Sequence, residues 1–492
     1  MTGEIDYYSL LNVPRDADPE TIRHAYRNAA RAIHPDTSKE ADATERFLLI
    51  NQAYETLTDL ELRIAYDQEL METEQEKIED ASYTCEVQSS RKCLLQLGEP
   101  QVHYLLLDIK PSENIPVFRP PINVCIVIDK STSMRGPRLD QVRSATIRIL
   151  ESLERDDRAT VVAFSDKAEV IVSADQAQEI TTARARLSLL QAGGGTEIGQ
   201  GLYLSMESLQ QTFLRDGVNH LILFTDGRTY GDEDLCISLA KKAADLGITI
   251  NSLGIGSDWN DLLLDDLSSR TGGNVLFLDS PSVISALLSK IFHNLEKVVA
   301  NRVIIEGAFA QQVDLRSTFR LEPDPHPLGD QFPLLLGHLP RDGRIRLLLE
   351  MVIHPIGQIS HLEMAHLTID GDILGVNNKS TPLPLKIDIP VSEKPDMDPP
   401  PQDISQAISR ISLYEMQEKA RHEAEIGQAQ QAARRLENLA TQLLAAGERE
   451  LAKAALNEAA RVTHTRKFSS QGGKFLKYGT RALLLPAKTE GS

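Results

Sequence analysis

The chain has 492 residues, of which 41% are hydrophobic and 25% charged, and its formal net charge is −19. That length predicts several domains of ordinary globular composition, and the acidity argues against nucleic acid or an anionic membrane as a general partner. No apolar run approaches a membrane span and no basic segment leads into an apolar core at the amino terminus, so a soluble cytoplasmic protein with no membrane partner is expected. Cys85, Cys93, Cys125 and Cys236 show no CxxC spacing. A Cys85–Cys93 pair across a hairpin fits their positions, as do free thiols in a cytoplasmic chain.

Residues 1–70 read as four helices with short breaks. Asp6-Tyr7-Tyr8 opens the first, Asp18-Pro19-Glu20 caps the second, and a third is predicted over 44–57. Phe47, Ile50, Tyr54 and Leu57 fall at helical spacing and form its buried stripe. His34-Pro35-Asp36 stands between the second and third helices, and Ala65-Tyr66-Asp67 closes the unit. These residues resemble a J domain of the DnaJ type. The resemblance implies that His34, Pro35 and Asp36 stimulate ATP hydrolysis by a DnaK-type chaperone, and that a basic face of the preceding helix docks on it. Arg23, Arg27 and Arg31, spaced four apart, supply such a face. The Gly/Phe-rich and cysteine-rich segments of general J chaperones do not follow, so the rest of the chain must hold whatever is delivered.

Residues 71–82 are acid-rich and are predicted to continue as a solvated helical spacer. Short β runs follow over 83–116 and return over 300–391. Between them, residues 117–299 alternate strands with helices, which predicts a mostly parallel sheet with one antiparallel edge. Its centre is the apolar run 122–128, a buried strand that ends in Asp129-Lys-Ser131-Thr-Ser133. Two further oxygen-rich loops end comparable stretches: Gly193-Gly-Gly-Thr196 before a helix, and Thr225-Asp226-Gly227 after a strand. In a doubly wound sheet, ligands bind beyond the carboxyl ends of the strands, where such loops converge. Hydroxyls and two carboxylates without His or Cys suit Mg²⁺, with Mn²⁺ or Ca²⁺ as alternatives, and disfavour Zn²⁺.

The three loops together resemble the von Willebrand factor A domain with a complete metal-ion-dependent adhesion site. The resemblance implies that Ser131, Ser133 and Thr196 touch the ion, that Asp129 and Asp226 hold coordinated water, and that a partner protein supplies an acidic side chain. Phosphoryl transfer from Asp129, as in haloacid-dehalogenase-like enzymes, requires a second Asp where Ser131 stands. No Gly-rich nucleotide loop, nucleophile elbow or zinc cluster is present, so an enzyme is not expected. Trp259 is expected in core or rim packing. His326, His338, His354, His361 and His366 lack ligand spacing and are expected on loops and strand faces.

The flanking β segments predict one antiparallel sandwich with the central domain inserted, an order similar to that in bacterial proteins and the inter-α-trypsin-inhibitor group. Residues 392–402 are a Pro-rich linker, and 403–463 a helical bundle or tetratricopeptide-like pair with breaks near Gly427 and Gly447. Residues 464–492 read as a basic tail that either adds as a strand, stays disordered, or is phosphorylated at Thr480. The fold class expected is therefore multidomain: an all-α J domain, a doubly wound α/β domain, a β-sandwich and a carboxyl-terminal helical segment. The function expected is a co-chaperone adaptor; a scaffold subunit of a regulatory or defence complex is the alternative.

Overall fold

Tyr8 Oη donates to Asp67 Oδ1 at 2.7 Å in a computed structural model, joining the two ends of an all-helical amino-terminal unit. The structure describes residues 6–11, 13, 17–32, 43–229, 231–278, 280–375, 380–394 and 398–485. His34, Pro35 and Asp36 lie outside the described residues. The chain divides into two compact units, 1–80 and 81–492. The first contains helices α1 (Tyr7–Leu11), α2 (Pro19–Ala32), α3 (Ala43–Thr58) and α4 (Leu60–Glu79). Ile22, Ile50, Ala53 and Leu57 fill its core, with Tyr7 stacked on Tyr66 and Tyr26 on Tyr54. Arg63 Nε donates to Tyr8 Oη at 2.9 Å and its Nη1 to the Ala17 carbonyl at 2.9 Å, so the Tyr-Tyr opening and the Ala-Tyr-Asp close form one polar clasp. The acidic spacer is the second half of α4.

The second unit begins with β1 (Tyr83–Ser89), β2 (Leu94–Leu95) and β3 (Gln101–Pro111). The chain then enters a six-stranded sheet through β4 (Ile122–Asp129), followed by α5 (Pro137–Glu151), β5 (Arg158–Phe164), β6 (Ala168–Val172), α6 (Ile180–Ser188) and α7 (Ile198–Gln211). It continues through β7 (Val218–Thr225), α8 (Glu233–Asp245), β8 (Thr249–Ile255), α9 (Asp261–Arg270), β9 (Val275–Leu278) and α10 (Ile284–Leu295). The strand order is β6-β5-β4-β7-β8-β9, parallel except for the β5–β6 edge. Both faces of β4 are dry, which is why its residues run apolar without alternation. Val124, Ile126 and Ile128 pack toward α5 and α10, while Cys125 and Val127 pack toward α7, α8 and α9. All four cysteines are free thiols.

After α10 the chain returns through β10 (Val298–Phe309), β11 (Val313–Glu322), β12 (His326–Gly329), β13 (Leu334–Pro340), β14 (Ile345–Ile353), β15 (His361–Ile373) and β16 (Leu383–Ser392). One sheet has the order β1-β3-β14-β11-β12 and the other β13-β10-β15-β16-β2, with a single apolar core between them. The first sheet is antiparallel throughout; in the second only β16–β2 is parallel. The α/β domain is thus inserted between β3 and β10. Arg320, 2% exposed, fastens the two, donating to the carbonyls of Gly272, Gly273 and Leu336 at 2.7–2.9 Å.

Four helices end the described chain: α11 (Gln402–Glu425), α12 (Ala429–Ala445), α13 (Arg449–Thr465) and α14 (Ser470–Ala482). Gly427 and Gly447 adopt φ of 85° at the breaks. Ile404, Ala407, Ile411 and Tyr414 of α11 cover Leu106, Phe319, Leu321 and Leu348 on the outer face of the first sheet. Residues 464–492, read as a basic tail, require a correction: α14 is a packed helix, neither a strand nor loose. Leu476 belongs to the core of the bundle, and Thr480 is 0% exposed with its Oγ1 donating to the Leu476 carbonyl at 2.7 Å, closed to a modifying enzyme.

Candidate metal centre and the surface beside it

Three loops meet at the carboxyl edge of the central sheet. Lys130 N–H donates to the Phe164 carbonyl at 2.8 Å and Gly193 N–H to the Lys130 carbonyl at 2.7 Å, which draws the Gly-rich loop against the end of β4. Thr132 N–H donates to the Gly194 carbonyl, and Gly195 N–H to Asp166 Oδ1 at 2.8 Å. Gly136, at φ 84°, turns the chain so that Pro137 can start α5; a side chain at that φ would be strained.

Within this frame the five oxygen-bearing residues converge. Asp129 is 0% exposed; its Oδ1 accepts from Ser131 N–H at 2.7 Å and its Oδ2 from Thr225 Oγ1 at 2.8 Å. Ser131 Oγ and Ser133 Oγ lie 3.1 Å apart, and Ser133 Oγ donates to Asp226 Oδ1 at 2.6 Å. Thr196 stands against Gly227, where an added Cβ would meet its Oγ1 at 2.9 Å. Asp226 is 1% exposed, whereas Ser133 is open to solvent, leaving one face of the cluster accessible. Burial pushes the Asp129 carboxyl up to about 6, against hydrogen bonds from Ser131 and Thr225 that favour its charged form. Two inward carboxylates with three hydroxyls are a donor set that fits a hard divalent cation.

Arg138, from the first turn of α5, pairs with Asp226 and donates Nη1 to the Ser133 carbonyl at 3.3 Å. Sequence reasoning missed this residue. The signal available was only its position, just beyond Arg135-Gly136-Pro137, where α5 begins beside the loop. Arg23, Arg27 and Arg31 are all exposed on α2, with Arg23 paired to Glu20 at 2.9 Å.

Family models match this chain in three places: the DnaJ domain over residues 6–67, the von Willebrand factor type A domain over 123–290, and the Sll0103-like, C-terminal alpha-helical domain over 402–486. The chain carries a J domain and a von Willebrand factor A domain. The chaperone protein DnaJ of Cyanothece sp. is 56% identical over 62 residues, which are 13% of this chain and 17% of that chaperone, so the likeness covers the J domain alone. The uncharacterized protein sll0103 of Synechocystis sp. is 28% identical over 339 residues, 65% of this chain and 78% of that protein. The solved von Willebrand factor type A protein from Catenulispora acidiphila overlays with a TM-score of 0.64 at 17% identity, covering 81% of this chain and 96% of that one. Its fold therefore extends beyond the A domain itself. Among the described residues no helix is long and apolar enough to cross a membrane.

The helical domain docks on the A domain beside the oxygen-rich loops. Trp259, expected in core or rim packing, is fully buried; its Nε1 donates to the Gly256 carbonyl at 2.8 Å, and the Lys474 ammonium lies 4.1 Å from its ring. Lys477 Nζ reaches Asp261 Oδ2 at 2.8 Å, and Arg421 Nη1 reaches the same oxygen at 2.6 Å. Arg481 Nη1 lies 2.9 Å from Asp265 Oδ1. His354, His361 and His366 are exposed, the first paired with Asp314 and the last with Glu363, whereas His220 Nδ1 and His338 Nε2 lie 3.4 Å apart in the buried seam between the A domain and the sandwich, where burial lowers both from their usual range.

Proposed function

We propose that this protein is a co-chaperone adaptor: its J domain recruits and stimulates a DnaK-type ATPase in the cytoplasm, and its A domain grips a protein partner through a bound divalent cation, Mg²⁺ in first place. The observation carrying this reading is the union, in one chain, of a DnaJ-like J domain with an open cluster of three hydroxyls and two carboxylates at the sheet edge. The J-domain likeness stops short of the rest of the chaperone, so partner choice falls to the A domain and its neighbours.

Ser131, Ser133 and Thr196 would hold the ion through their hydroxyls, with Asp129 and Asp226 supplying the negative charge. The bound cation supplies an open coordination position for a carboxylate of the partner. The chain's own part is to keep that position open: Ser133 faces solvent, while Thr225 and the Ser131 amide hold Asp129 fixed beneath it. No covalent chemistry is assigned to the site. Arg23, Arg27 and Arg31 would form the docking stripe on α2, and His34, Pro35 and Asp36 the group that stimulates the ATPase.

The test separates the two halves. His34→Gln should abolish stimulation of a DnaK-type ATPase and leave capture of the partner intact. Asp226→Ala, or EDTA, should remove the partner from a native-lysate capture and leave stimulation intact. Equal stimulation by His34→Gln would refute the co-chaperone half and leave an interaction scaffold; capture indifferent to both EDTA and Asp226→Ala would refute the metal-dependent half.

A further inference from the structure

A cleft of about 370 Å³ lies where the helical domain meets the A domain, between the β8–α9 loop and the turn from α13 to α14. Five cations line it: Arg228, Arg421, Arg466, Lys467 and Lys474. Its two acids are already engaged, since Arg421 pairs with Asp261 at 2.6 Å and with Glu425 at 3.3 Å. Among the described residues, Arg228, Arg466, Lys467 and Lys474 form no ion pair. Arg228 Nε donates to the Asp258 carbonyl; Lys474, 4% exposed, is engaged by the carbonyls of Ser257 and Trp259 and by the Trp259 ring, so the cations open to a ligand are Arg228, Arg466 and Lys467. In a chain of net charge −19 this is a local inversion of sign.

The turn itself is shaped at a cost. Arg466 ends α13 in the left-handed conformation, φ 59°, a role that Gly427 and Gly447 fill at the preceding helix ends. A non-glycine residue in that region is disfavoured, and such outliers gather where a side chain has work to do. Arg466 and Lys467 are both exposed there.

The cleft also borders the loop that carries Asp226, through Arg228 in its lining. Arg228 stands two residues after Asp226, and its contact with Asp258 leads directly to Ser257, whose carbonyl takes Lys474. We propose that the cleft is the second half of the partner-binding surface and takes the acidic residues that flank the metal-bound carboxylate, so that the partner presents an acidic segment of protein. The proposal rests on the metal-dependent reading above and deepens it. A protein carboxylate is favoured over a nucleic acid because the acidic body repels a phosphate backbone, whereas a short acidic segment meets only the cationic strip.

Fluorescence anisotropy of a labelled deca-glutamate peptide against the full chain tests it, in Mg²⁺ and in EDTA. Wild type should bind, and EDTA or Ser133→Ala should weaken binding without removing it. Arg466→Asn with Lys467→Gln, a pair that keeps a residue tolerant of the left-handed turn, should weaken binding by about tenfold in Mg²⁺ and remove what remains in EDTA. Arg466→Lys with Lys467→Arg should bind as wild type. The cleft is overturned if the neutral pair binds as wild type, if the charge-conserving pair loses binding, if wild type ignores the peptide, or if a deca-thymidine strand binds more tightly. Binding that the neutral pair abolishes but EDTA and Ser133→Ala leave unchanged would instead refute the metal-dependent reading and keep the cleft.

Discussion

Lys477 Nζ lies 2.7 Å from Asp265 Oδ2, a buried ion pair that joins the last described helix to α9 of the A domain. Lys477 is 2% exposed, and Arg481 and Arg421 complete a lattice of three cations around Asp261 and Asp265. Buried ions of this kind contribute little net stability as a set but are costly to break singly. Asp265→Asn should therefore lower the unfolding free energy by about 3–5 kcal/mol, read by urea denaturation of the full chain. A loss below about 1 kcal/mol would place the lattice outside the cooperative core.

The same lattice makes docking sensitive to acid. Burial alone would push the Asp265 carboxyl up, but Arg481 and Lys477 hold it well below the usual carboxylate range. Burial likewise opposes Arg421 and Lys477 at Asp261, whose carboxyl they bring down to about 2. Carboxyls depressed by folding add stability above their ordinary value of about 4, and that stability is lost as pH falls toward the folded value. Tryptophan emission from Trp259, under α14, should report this loss between about pH 4 and 2, and the transition should be blunted in Asp265→Asn. An unchanged profile in the variant would rule out the lattice as its source.

Arg138, paired with Asp226, would compete with a cation for that carboxylate. Replacing it by Met removes a positive charge next to the metal loops, and Mg²⁺ affinity by calorimetry should rise by about tenfold. Arg138→Lys should stay near wild type. Weaker binding in Arg138→Met would show that the guanidinium orients Asp226 more than it opposes the ion.

Gly254 lies in β8 directly beneath Trp259, where an added Cβ would stand 2.0 Å from ring carbon Cε2. Neither the strand backbone nor the indole, held by its bond to Gly256, has room to yield. Gly254→Ala should cost about 3 kcal/mol in thermal or urea unfolding. Gly231→Ala, in open space but at φ 85°, should cost less, about 1 kcal/mol.

Thr480 faces the bundle interior, with no water to receive a charge. Thr480→Val should lose about 1 kcal/mol with its hydrogen bond, whereas Thr480→Glu should detach α14, seen as rapid proteolysis after Thr465. Equal protease resistance of the two variants would contradict the packing described.

The J domain, the central sheet and its oxygen-rich loops were legible because their chemistry is local. His34-Pro35-Asp36 and Asp129-Lys-Ser131-Thr-Ser133 each lie within a few residues, and strand 122–128 is apolar without a break. The last helix was not legible, for a physical reason. Lys474, Lys477 and Arg481 repeat at helical spacing, yet they form the buried face; Asp261 and Asp265 satisfy Lys477 and Arg481, and the carbonyls of Ser257 and Trp259 satisfy Lys474, all far away in the sequence. A helix whose inward side is charged has the composition of a solvated tail until its partners are known. Arg138 escaped for a related reason, since its role depends on Asp226 and not on its neighbours in α5.

Inserting the A domain into the sandwich also has a temporal consequence. β3 leaves the ribosome early, but β14, which pairs with it from Gln101 to Ile109, follows only after the whole inserted domain. At about 5–20 residues per second, that edge waits on the order of 10–50 s for its neighbour. During that interval the nascent chain carries β1 and β3 as an incomplete ribbon with Leu105, Leu107 and Ile109 uncovered. A protein fitted with a J domain thus passes, during its own synthesis, through a stage with an open apolar sheet edge of the kind that chaperones cover.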